Sequence, residues 1–206
     1  MKTTLTRLAV AGAMLFAFTG VADAATKAAT LAEVNKAAGK QVQAGQRVRI
    51  ETTKGTFEIT LFPKAAPKTV ANFVALAKKG FYNGTTFHRV IPGFVAQGGD
   101  PLSKKLAAGN PQIGTGGAEK NIPDEHGNGL SHLAGSVAMA HSSMPNSASS
   151  QFYVCFEPIT HLNGGYTIFA QVTKGFDVVQ KLQATERDGV PVQNVKPDKM
   201  IKVTVL

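Results

Sequence analysis

The chain has 206 residues, of which 43% are hydrophobic and 17% charged, a composition that is typical of globular proteins and excludes disordered and fibrous classes. Its formal net charge of +9 permits acidic partners without identifying one. A single cysteine, Cys155, excludes an internal disulfide framework and any zinc or iron–sulfur site that needs several cysteines.

The N-terminal residues have the pattern of a cleavable secretory signal. Lys2 and Arg7 form a positive region, residues 8–18 form an apolar run, and residues 22–24 (Ala-Asp-Ala) have the small-x-small form of a cleavage site. We therefore expect residues 1–24 to be a signal peptide and the mature protein to be periplasmic, with secretion as the alternative. The apolar run is too short for a stable transmembrane helix, so an uncleaved anchor is the less favoured interpretation.

Residues 25–46 form an Ala-, Lys- and Gln-rich approach segment, in which a threonine and a glutamate with capping-box spacing allow a short helix over residues 31–38. A β-hairpin is predicted next. Apolar and polar residues alternate over positions 48–52, Thr-Lys-Gly forms a turn at 53–55, and the alternation resumes over 57–61.

Apolar residues then recur with helical spacing between Pro67, which suits a first helical position, and Gly80, which suits the end of a helix. This pattern predicts an amphipathic helix. A second, shorter helix is predicted over residues 176–182. Further strands are predicted at Thr86–Val90, Phe94–Gln97, Leu133–Met139, Gln151–Phe156, Ile168–Thr173 and Met200–Val205.

Eight predicted strands and two helices, without alternating βα units, indicate a mainly β domain over residues 47–206. We expect a closed eight-stranded antiparallel β-barrel capped by the two α-helices, because closure removes vulnerable strand edges. Residues 101–129 are rich in Gly, Pro and Asn and too long for a plain connector, so they are predicted to form a functional surface loop or part of a groove wall.

Residues 87–100 read Phe-His-Arg-Val-Ile-Pro-Gly-Phe-Val-Ala-Gln-Gly-Gly-Asp, and they are followed by Ser-Gln-Phe-Tyr at 150–153 and by an L-x-G-x-x-x-x-F pattern over 162–169. In these motifs the chain resembles the cyclophilins, from about Val48 to the C-terminus. The resemblance implies an eight-stranded, cyclophilin-like barrel and peptidyl-prolyl cis/trans isomerase activity with no cofactor.

The chemistry of proline isomerisation explains why an arginine belongs in such a motif. Amide resonance opposes rotation with a barrier of about 18 to 20 kcal/mol. In the twisted transition state the proline nitrogen gains a basic lone pair, so a fixed donor aimed at it stabilises that state selectively. Arg89 is the candidate donor because its guanidinium stays charged and rigid. Gln97 is expected to hold the substrate backbone or to orient Arg89, and Phe94 completes the catalytic set that the resemblance implies.

The resemblance also implies a set of substrate-binding residues. They comprise the proline pocket, formed by Phe94, Val95 and Tyr153; an edge strand that hydrogen-bonds the peptide backbone, with Ala140 and His141; and the remaining wall, with His161, Leu162 and Tyr166. Tyr153, His161 and Tyr166 replace the phenylalanine, tryptophan and histidine of the most familiar eukaryotic members. We expect these changes to alter inhibitor affinity and substrate preference more than the core activity.

Several of these residues have a simpler interpretation. Taken alone, the pocket residues would be ordinary core residues, and Arg89 would be a structural salt-bridge partner. The histidines, His88, His126, His132, His141 and His161, lack the i, i+4 spacing of a helical zinc site, so no metal is expected. Gly135 and Ser136 do not form a G-x-S-x-G serine elbow. Cys155 is expected to be buried, a reactive thiol being the minority interpretation.

Two classes of function remain. The first is an isomerase that accelerates proline-limited folding of exported proteins. The alternative is a chaperone or scaffold module that holds proline-containing segments with little turnover. Arg89, Phe94 and Gln97 favour the enzyme. The expected partners are proline-containing, unfolded or partly folded exported proteins. We expect no nucleic acid partner, no stable membrane insertion and a monomeric state.

Overall fold

The structure, a computed structural model, describes residue 36, residues 39–40 and residues 45–206. The expected signal peptide lies outside the described residues, as does most of the approach segment. The helix allowed over residues 31–38 also lies outside them, apart from Lys36, which is helical.

Residues 45–206 form a mainly β domain with two α-helices, as the sequence predicts. Its strands are β1 (Arg47–Thr52), β2 (Gly55–Leu61), β3 (Arg89–Ile91), β4 (Val95–Gly98), β5 (Ser136–Met139), β6 (Phe152–Cys155), β7 (Ile168–Lys174), β8 (Glu186–Arg187), β9 (Val190–Pro191) and β10 (Met200–Val205). Its helices are α1 (Pro67–Lys78) and α2 (Phe176–Gln180), and 3-10 turns occur at Pro101–Lys104 and Thr160–Leu162.

Eight of the strands form one antiparallel sheet in the order β10-β1-β2-β7-β5-β6-β4-β3. The sheet curls into a half-barrel that is open rather than closed, so the expectation of a closed barrel is wrong. Its two end strands, β10 and β3, do not pair with each other. The chain just before β3 contacts the start of β10 through an isolated bridge between Thr86 and Lys199 and through the N–H of Gly84, which donates to the carbonyl of Met200 at 2.7 Å.

The opening has a physical cause in the hydrogen bonds at the outer edge of β3. The N–H of Val90 donates to the hydroxyl of Thr185 at 2.8 Å, and the N–H of Thr185 donates to the carbonyl of Val90 at 3.0 Å. Backbone groups that a closing β10 would need are therefore already satisfied by other partners.

Alternation along the strands separates two apolar clusters. The inner face of the curled sheet packs against α1 and forms the main core, to which Ala96, Val137 and Val154 belong. The outer face of β4, β5 and β6 carries a second cluster, which includes Val95 and Ala138. Since successive strand residues point to opposite faces, one strand supplies both the core and an outer surface.

A small hairpin of β8 and β9, which is absent from the strands predicted by sequence, follows α2. Asp188 and Gly189 connect the two strands with φ angles of 50° and 77°, as a two-residue hairpin turn requires. In the part of the chain that the structure describes, no helix is both long and apolar enough to cross a membrane.

Candidate active site

The cross-strand register aligns three of the proposed site residues. Arg89 on β3 pairs with Gln97 on β4, and Gln97 pairs with Tyr153 on β6. Residues directly opposite each other in a ladder project from the same face of the sheet. Arg89, Gln97 and Tyr153 therefore form one row on the outer face, beside the second apolar cluster.

Arg89 is half exposed and is held by an ion pair. Its Nε donates to Oε2 of Glu186 at 3.0 Å, and the two side chains are 42% and 22% exposed. This contact leaves the N–H groups of the two terminal nitrogens for another acceptor. Glu186 was not predicted from the sequence. The Asp188-Gly189 dipeptide was the available signal, because it marks the hairpin that holds Glu186.

Gln97 is hydrogen-bonded to a second glutamine and not to Arg89. Its Nε2 donates to Oε1 of Gln151 at 2.9 Å. The Nε2 of Gln151 donates in turn to the carbonyls of Gly114 at 2.8 Å and Gly116 at 2.7 Å. The hydrogen bonds of Gln97 therefore do not support the expectation that it orients Arg89. Gln151 belongs to the Ser-Gln-Phe-Tyr motif, but no role was predicted for it.

A cavity of about 520 Å³ lies beside this glutamine pair. Gln97 and Gln151 form one side and residues 114–118 another. The prediction that residues 101–129 contribute to a groove wall is confirmed for this stretch. Ala140 and His141 line the same cavity, together with Asn121, Ser142, Ser147 and Ser149.

The residues of the predicted proline pocket belong to the second apolar cluster and not to the main core. Val95 and Tyr153 are buried, at 3% and 4% exposure, and Phe94, which immediately precedes β4, is half buried. Leu162, Tyr166 and Ala140 pack against the same cluster. The pocket residues thus belong to a cluster separate from the main core, and Phe94, Leu162 and Tyr166 lie on its partly exposed side.

A buried polar chain lies behind this pocket. The ring of His132 is fully buried, with Nδ1 at 3.0 Å from Asn163 Oδ1 and Nε2 at 2.9 Å from the Tyr153 hydroxyl. An amide oxygen only accepts, so Nδ1 carries the proton and Nε2 accepts from Tyr153. Burial lowers the pKa of His132, although the hydrogen bond that its Nδ1–H donates to Asn163 opposes this shift. The sequence did not predict this network.

Ala140 and His141 do not lie on an edge strand, contrary to expectation. They follow β5, which is flanked by β6 and β7, and the N–H of Ala140 donates to the carbonyl of Gln151 at 3.0 Å. The ring of His141 stacks on Tyr166 with centroids 4.4 Å apart, and its Nε2 lies 2.8 Å from the carbonyl of Gly165. This contact connects the end of β5 with the loop before β7.

His161 lies at the other end of the apolar surface. Its exposed ring is parallel to that of Phe94, with an interplanar angle of 6° and centroids 6.4 Å apart. Leu162 follows it at the end of the Thr160–Leu162 turn. The structure therefore places His161, Leu162 and Tyr166 around the same apolar surface as Phe94.

Cys155 is buried in the second apolar cluster, as expected. Burial raises the pKa of its thiol, which keeps the sulfur protonated and unreactive at neutral pH. Among the described residues, no group of three or more His, Cys, Asp or Glu side chains is placed to hold a metal ion.

Comparison with protein families and curated proteins gives consistent results. Residues 47–205 match the cyclophilin type peptidyl-prolyl cis-trans isomerase family. A peptidyl-prolyl cis-trans isomerase of Synechococcus elongatus is 45% identical over 147 residues, covering 71% of this chain and 92% of that protein. A probable peptidyl-prolyl cis-trans isomerase of Brucella suis is 37% identical over 196 residues, covering 93% of this chain and 97% of its own.

A solved structure has a similar fold. The crystal structure of a cyclophilin type peptidyl-prolyl cis-trans isomerase from Cryptosporidium parvum, determined in the presence of the dipeptide Ala-Pro, is 30% identical to this chain. The TM-score is 0.67, and the match covers 78% of this chain and 99% of that one.

Proposed function

This chain belongs to the cyclophilin-type peptidyl-prolyl cis-trans isomerases and is an enzyme of that activity, and we propose that the row of Arg89, Gln97 and Tyr153 with its adjoining apolar surface is the reaction centre. One observation carries this assignment. The register places a charged donor, a fixed amide and an aromatic wall side by side on one outer face. A proline-containing segment has these three needs: a donor for its nitrogen, a backbone partner and an apolar slot for its ring.

Arg89 supplies the donor. As the peptide bond twists, the lone pair of the proline nitrogen leaves conjugation with the carbonyl and becomes able to accept a hydrogen bond. A charged N–H aimed at that lone pair is favourable only in the twisted state, so it lowers the barrier instead of binding both planar states equally. The ion pair with Glu186 uses the Nε–H and leaves the terminal nitrogens for this contact.

Phe94, Val95 and Tyr153 hold the pyrrolidine ring. They belong to the outer apolar cluster, and contact with its partly buried side at Phe94 would desolvate the ring while the preceding carbonyl turns. Gln97 has its amide nitrogen engaged by Gln151, so it offers its oxygen to an N–H of the bound peptide. The solved relative crystallised in the presence of Ala-Pro supports a proline-containing peptide as the substrate class.

The remaining residues of the expected set complete the binding surface. Ala140 and His141 lie along the cavity beside Gln97, where the polypeptide preceding the proline would run. His161, Leu162 and Tyr166 enclose the apolar end, which suits the ring and the residue after it.

A peptide assay tests the role of Arg89. We expect Arg89→Ala to lower kcat/KM for an Xaa-Pro peptide by at least two orders of magnitude, since one preorganised donor is worth about 10²-fold or more in a rate. Arg89→Lys should restore little, because an ammonium does not reproduce the planar fork. Thermal unfolding of each variant is the control. Near-native turnover by Arg89→Ala at an unchanged melting temperature would contradict the assignment.

We also propose that the enzyme acts on exported, unfolded or partly folded proteins in the periplasm. The support is the N-terminal pattern of residues 1–24, together with a relative from Brucella suis that matches 93% of this chain, more than the family domain alone. Expression of the full chain in a bacterium, followed by fractionation and N-terminal mass analysis, tests this. We expect periplasmic protein that begins at Ala25. A cytoplasmic product that keeps Met1 would contradict the proposal.

A further inference from the structure

The hairpin of β8 and β9 is attached to the strand that carries Arg89. Thr185, the residue before β8, makes three hydrogen bonds to this strand region: its N–H to the carbonyl of Val90 at 3.0 Å, its hydroxyl to the carbonyl of His88 at 3.1 Å, and the N–H of Val90 to its hydroxyl at 2.8 Å. The hairpin base is closed by the N–H of Val192, which donates to the carbonyl of Thr185 at 2.9 Å. The backbone that carries Glu186 is therefore fixed relative to the backbone that carries Arg89.

Arg89 needs such an attachment. Its strand, β3, has three residues and lies at the end of the sheet, and its side chain is 42% exposed. A long, half-exposed arginine side chain has many accessible rotamers, and ordering it costs entropy. A donor that exchanges among several rotamers is oriented toward the reacting nitrogen for only part of the time. This reduces its effect on the rate.

We propose that Glu186 is a positioning residue of this isomerase, which holds the guanidinium of Arg89 in its reactive orientation through the Nε contact. This inference rests on the proposed role of Arg89. The Nε–H lies in the guanidinium plane, so a carboxylate 3.0 Å from Nε fixes the direction of the plane while the two terminal nitrogens stay available.

The neighbouring polar residues do not provide this function. Gln97, the cross-strand partner of Arg89, has its amide nitrogen on Gln151. Within residues 45–206, Glu186 is the acidic side chain in an ion pair with Arg89.

Glu186 affects the rate in two opposite ways. Its hydrogen bond orients the guanidinium, which raises the rate, whereas its negative charge weakens the field of the guanidinium, which lowers the rate. Separate substitutions distinguish the two effects.

The test measures kcat and KM on an Xaa-Pro peptide for Glu186→Ala and Glu186→Gln in the otherwise native protein. Glu186→Ala removes the acceptor, and we expect kcat to fall about three- to tenfold, in proportion to the loss of a charged hydrogen bond, with KM nearly unchanged. Glu186→Gln keeps an oxygen that accepts from Nε, and we expect it to recover most of the native kcat. The guanidinium proton on Nε of Arg89, followed by NMR, should exchange with water faster in Glu186→Ala than in the native protein.

Two further variants separate the possible outcomes. Asp177→Ala removes the carboxylate of another exposed ion pair, 2.8 Å from Lys181, and should leave kcat unchanged. Glu186→Ala introduced into the Arg89→Ala variant should have no additional effect, because its effect passes through Arg89.

Each contrary result has a distinct meaning. If Glu186→Ala kept the native kcat while Arg89→Ala was inactive, the role of Glu186 would be overturned and that of Arg89 would stand. An equal loss from Glu186→Ala with and without Arg89 would show that the hairpin acts by another route, and would also overturn it. Native turnover by Arg89→Ala would overturn the proposed role of Arg89 and this inference with it.

Discussion

Tyr153 contributes both a ring and a hydroxyl to the proposed pocket. The ring packs in the second apolar cluster, while the hydroxyl donates to His132 and connects the pocket to Asn163. Burial raises the pKa of the Tyr153 hydroxyl, so it remains a donor throughout the range in which proteins are folded. One residue therefore joins an apolar binding surface to a buried polar network.

We expect Tyr153→Phe to lower the free energy of unfolding by about 1 to 3 kcal/mol, because it leaves the buried Nε2 of His132 without a partner. The peptide turnover should change little, since the aromatic wall is kept. Urea unfolding and the peptide assay measure the two effects. Tyr166→Phe is the matched control, because in residues 45–206 its hydroxyl makes no hydrogen bond, and it should be neutral. Equal stability of both variants would contradict the assigned partner.

His161 is the site residue whose change is expected to affect an inhibitor more than the reaction. In the familiar eukaryotic cyclophilins a tryptophan at this position donates to cyclosporin. The exposed His161 ring offers less apolar area, although it remains parallel to Phe94. We expect weak cyclosporin inhibition of the native protein and tighter inhibition of His161→Trp, with peptide turnover altered only modestly. Titration of both proteins in the same assay measures this, and tight inhibition of the native protein would contradict it.

Among the secondary-structure elements, α1 shows how a remote loop completes a helix. Ala66 at its N-cap provides no side-chain acceptor. Instead, Glu125 accepts from the N–H groups of Lys68 at 3.0 Å and Thr69 at 2.8 Å, and from the Thr69 hydroxyl at 2.8 Å. The carboxylate satisfies two of the free amides at the start of the helix and lies at the favourable end of its dipole.

Glu125→Ala is therefore expected to destabilise the protein by about 1 to 2 kcal/mol, the usual cost of losing a helix N-cap. Glu119→Ala, in the same loop but exposed, is the control and should be neutral. Thermal unfolding of both variants measures the difference. If the two melting temperatures were the same, Glu125 would not act as the cap of α1.

The long loop over residues 101–129 thus has two structural roles. It provides the carbonyls of Gly114 and Gly116 that hold Gln151, and it provides the cap of α1. The loop connects the proposed site with the helix that covers the main core.

For the whole molecule, the buried histidines predict how stability depends on pH. Burial lowers the pKa of His88, with Asp100 opposing the shift, and burial likewise lowers the pKa of His132. Between the folded values and the usual value of 6.5, the unfolded chain binds more protons than the folded protein. The stability gained by keeping these two histidines neutral is therefore fully present above about pH 6.5. It is lost as the pH drops toward their pKa values in the folded protein.

Carboxylates act in a separate window. Arg49 lowers the pKa of Glu58, and Lys181 lowers the pKa of Asp177, so their contributions are lost only as the pH falls below about 4.5 and 3.8 respectively. Acidification therefore destabilises the protein in two separate pH ranges, first where the buried histidines become protonated and then where the paired carboxylates do.

We expect the urea midpoint to fall between pH 7 and pH 5, before the carboxylates titrate. His132→Gln should make this dependence less steep. Urea unfolding at three pH values for each protein measures the slopes. A native midpoint that stays constant over this range would contradict the assigned environments of His88 and His132.

The sequence by itself determined the features that local patterns encode. Two-residue alternation predicted β1 and β2, and the spacing of apolar residues after Pro67 predicted α1. The motif over residues 87–100 indicated the family and the activity. Such features are readable because periodicity and turn chemistry act over a few neighbouring residues.

Only the tertiary structure decided which residues complete the site. Glu186 and Arg89 lie 97 positions apart, and Gln151 and Gln97 lie 54 apart. No local period relates them. The open half-barrel was decided in the same way, because Thr185, 95 positions after Val90, takes the backbone groups at the edge of β3. Contacts between distant segments depend on which of several possible partners reaches a hydrogen-bonding group in the folded chain. The order of residues in the sequence does not show which partner this is.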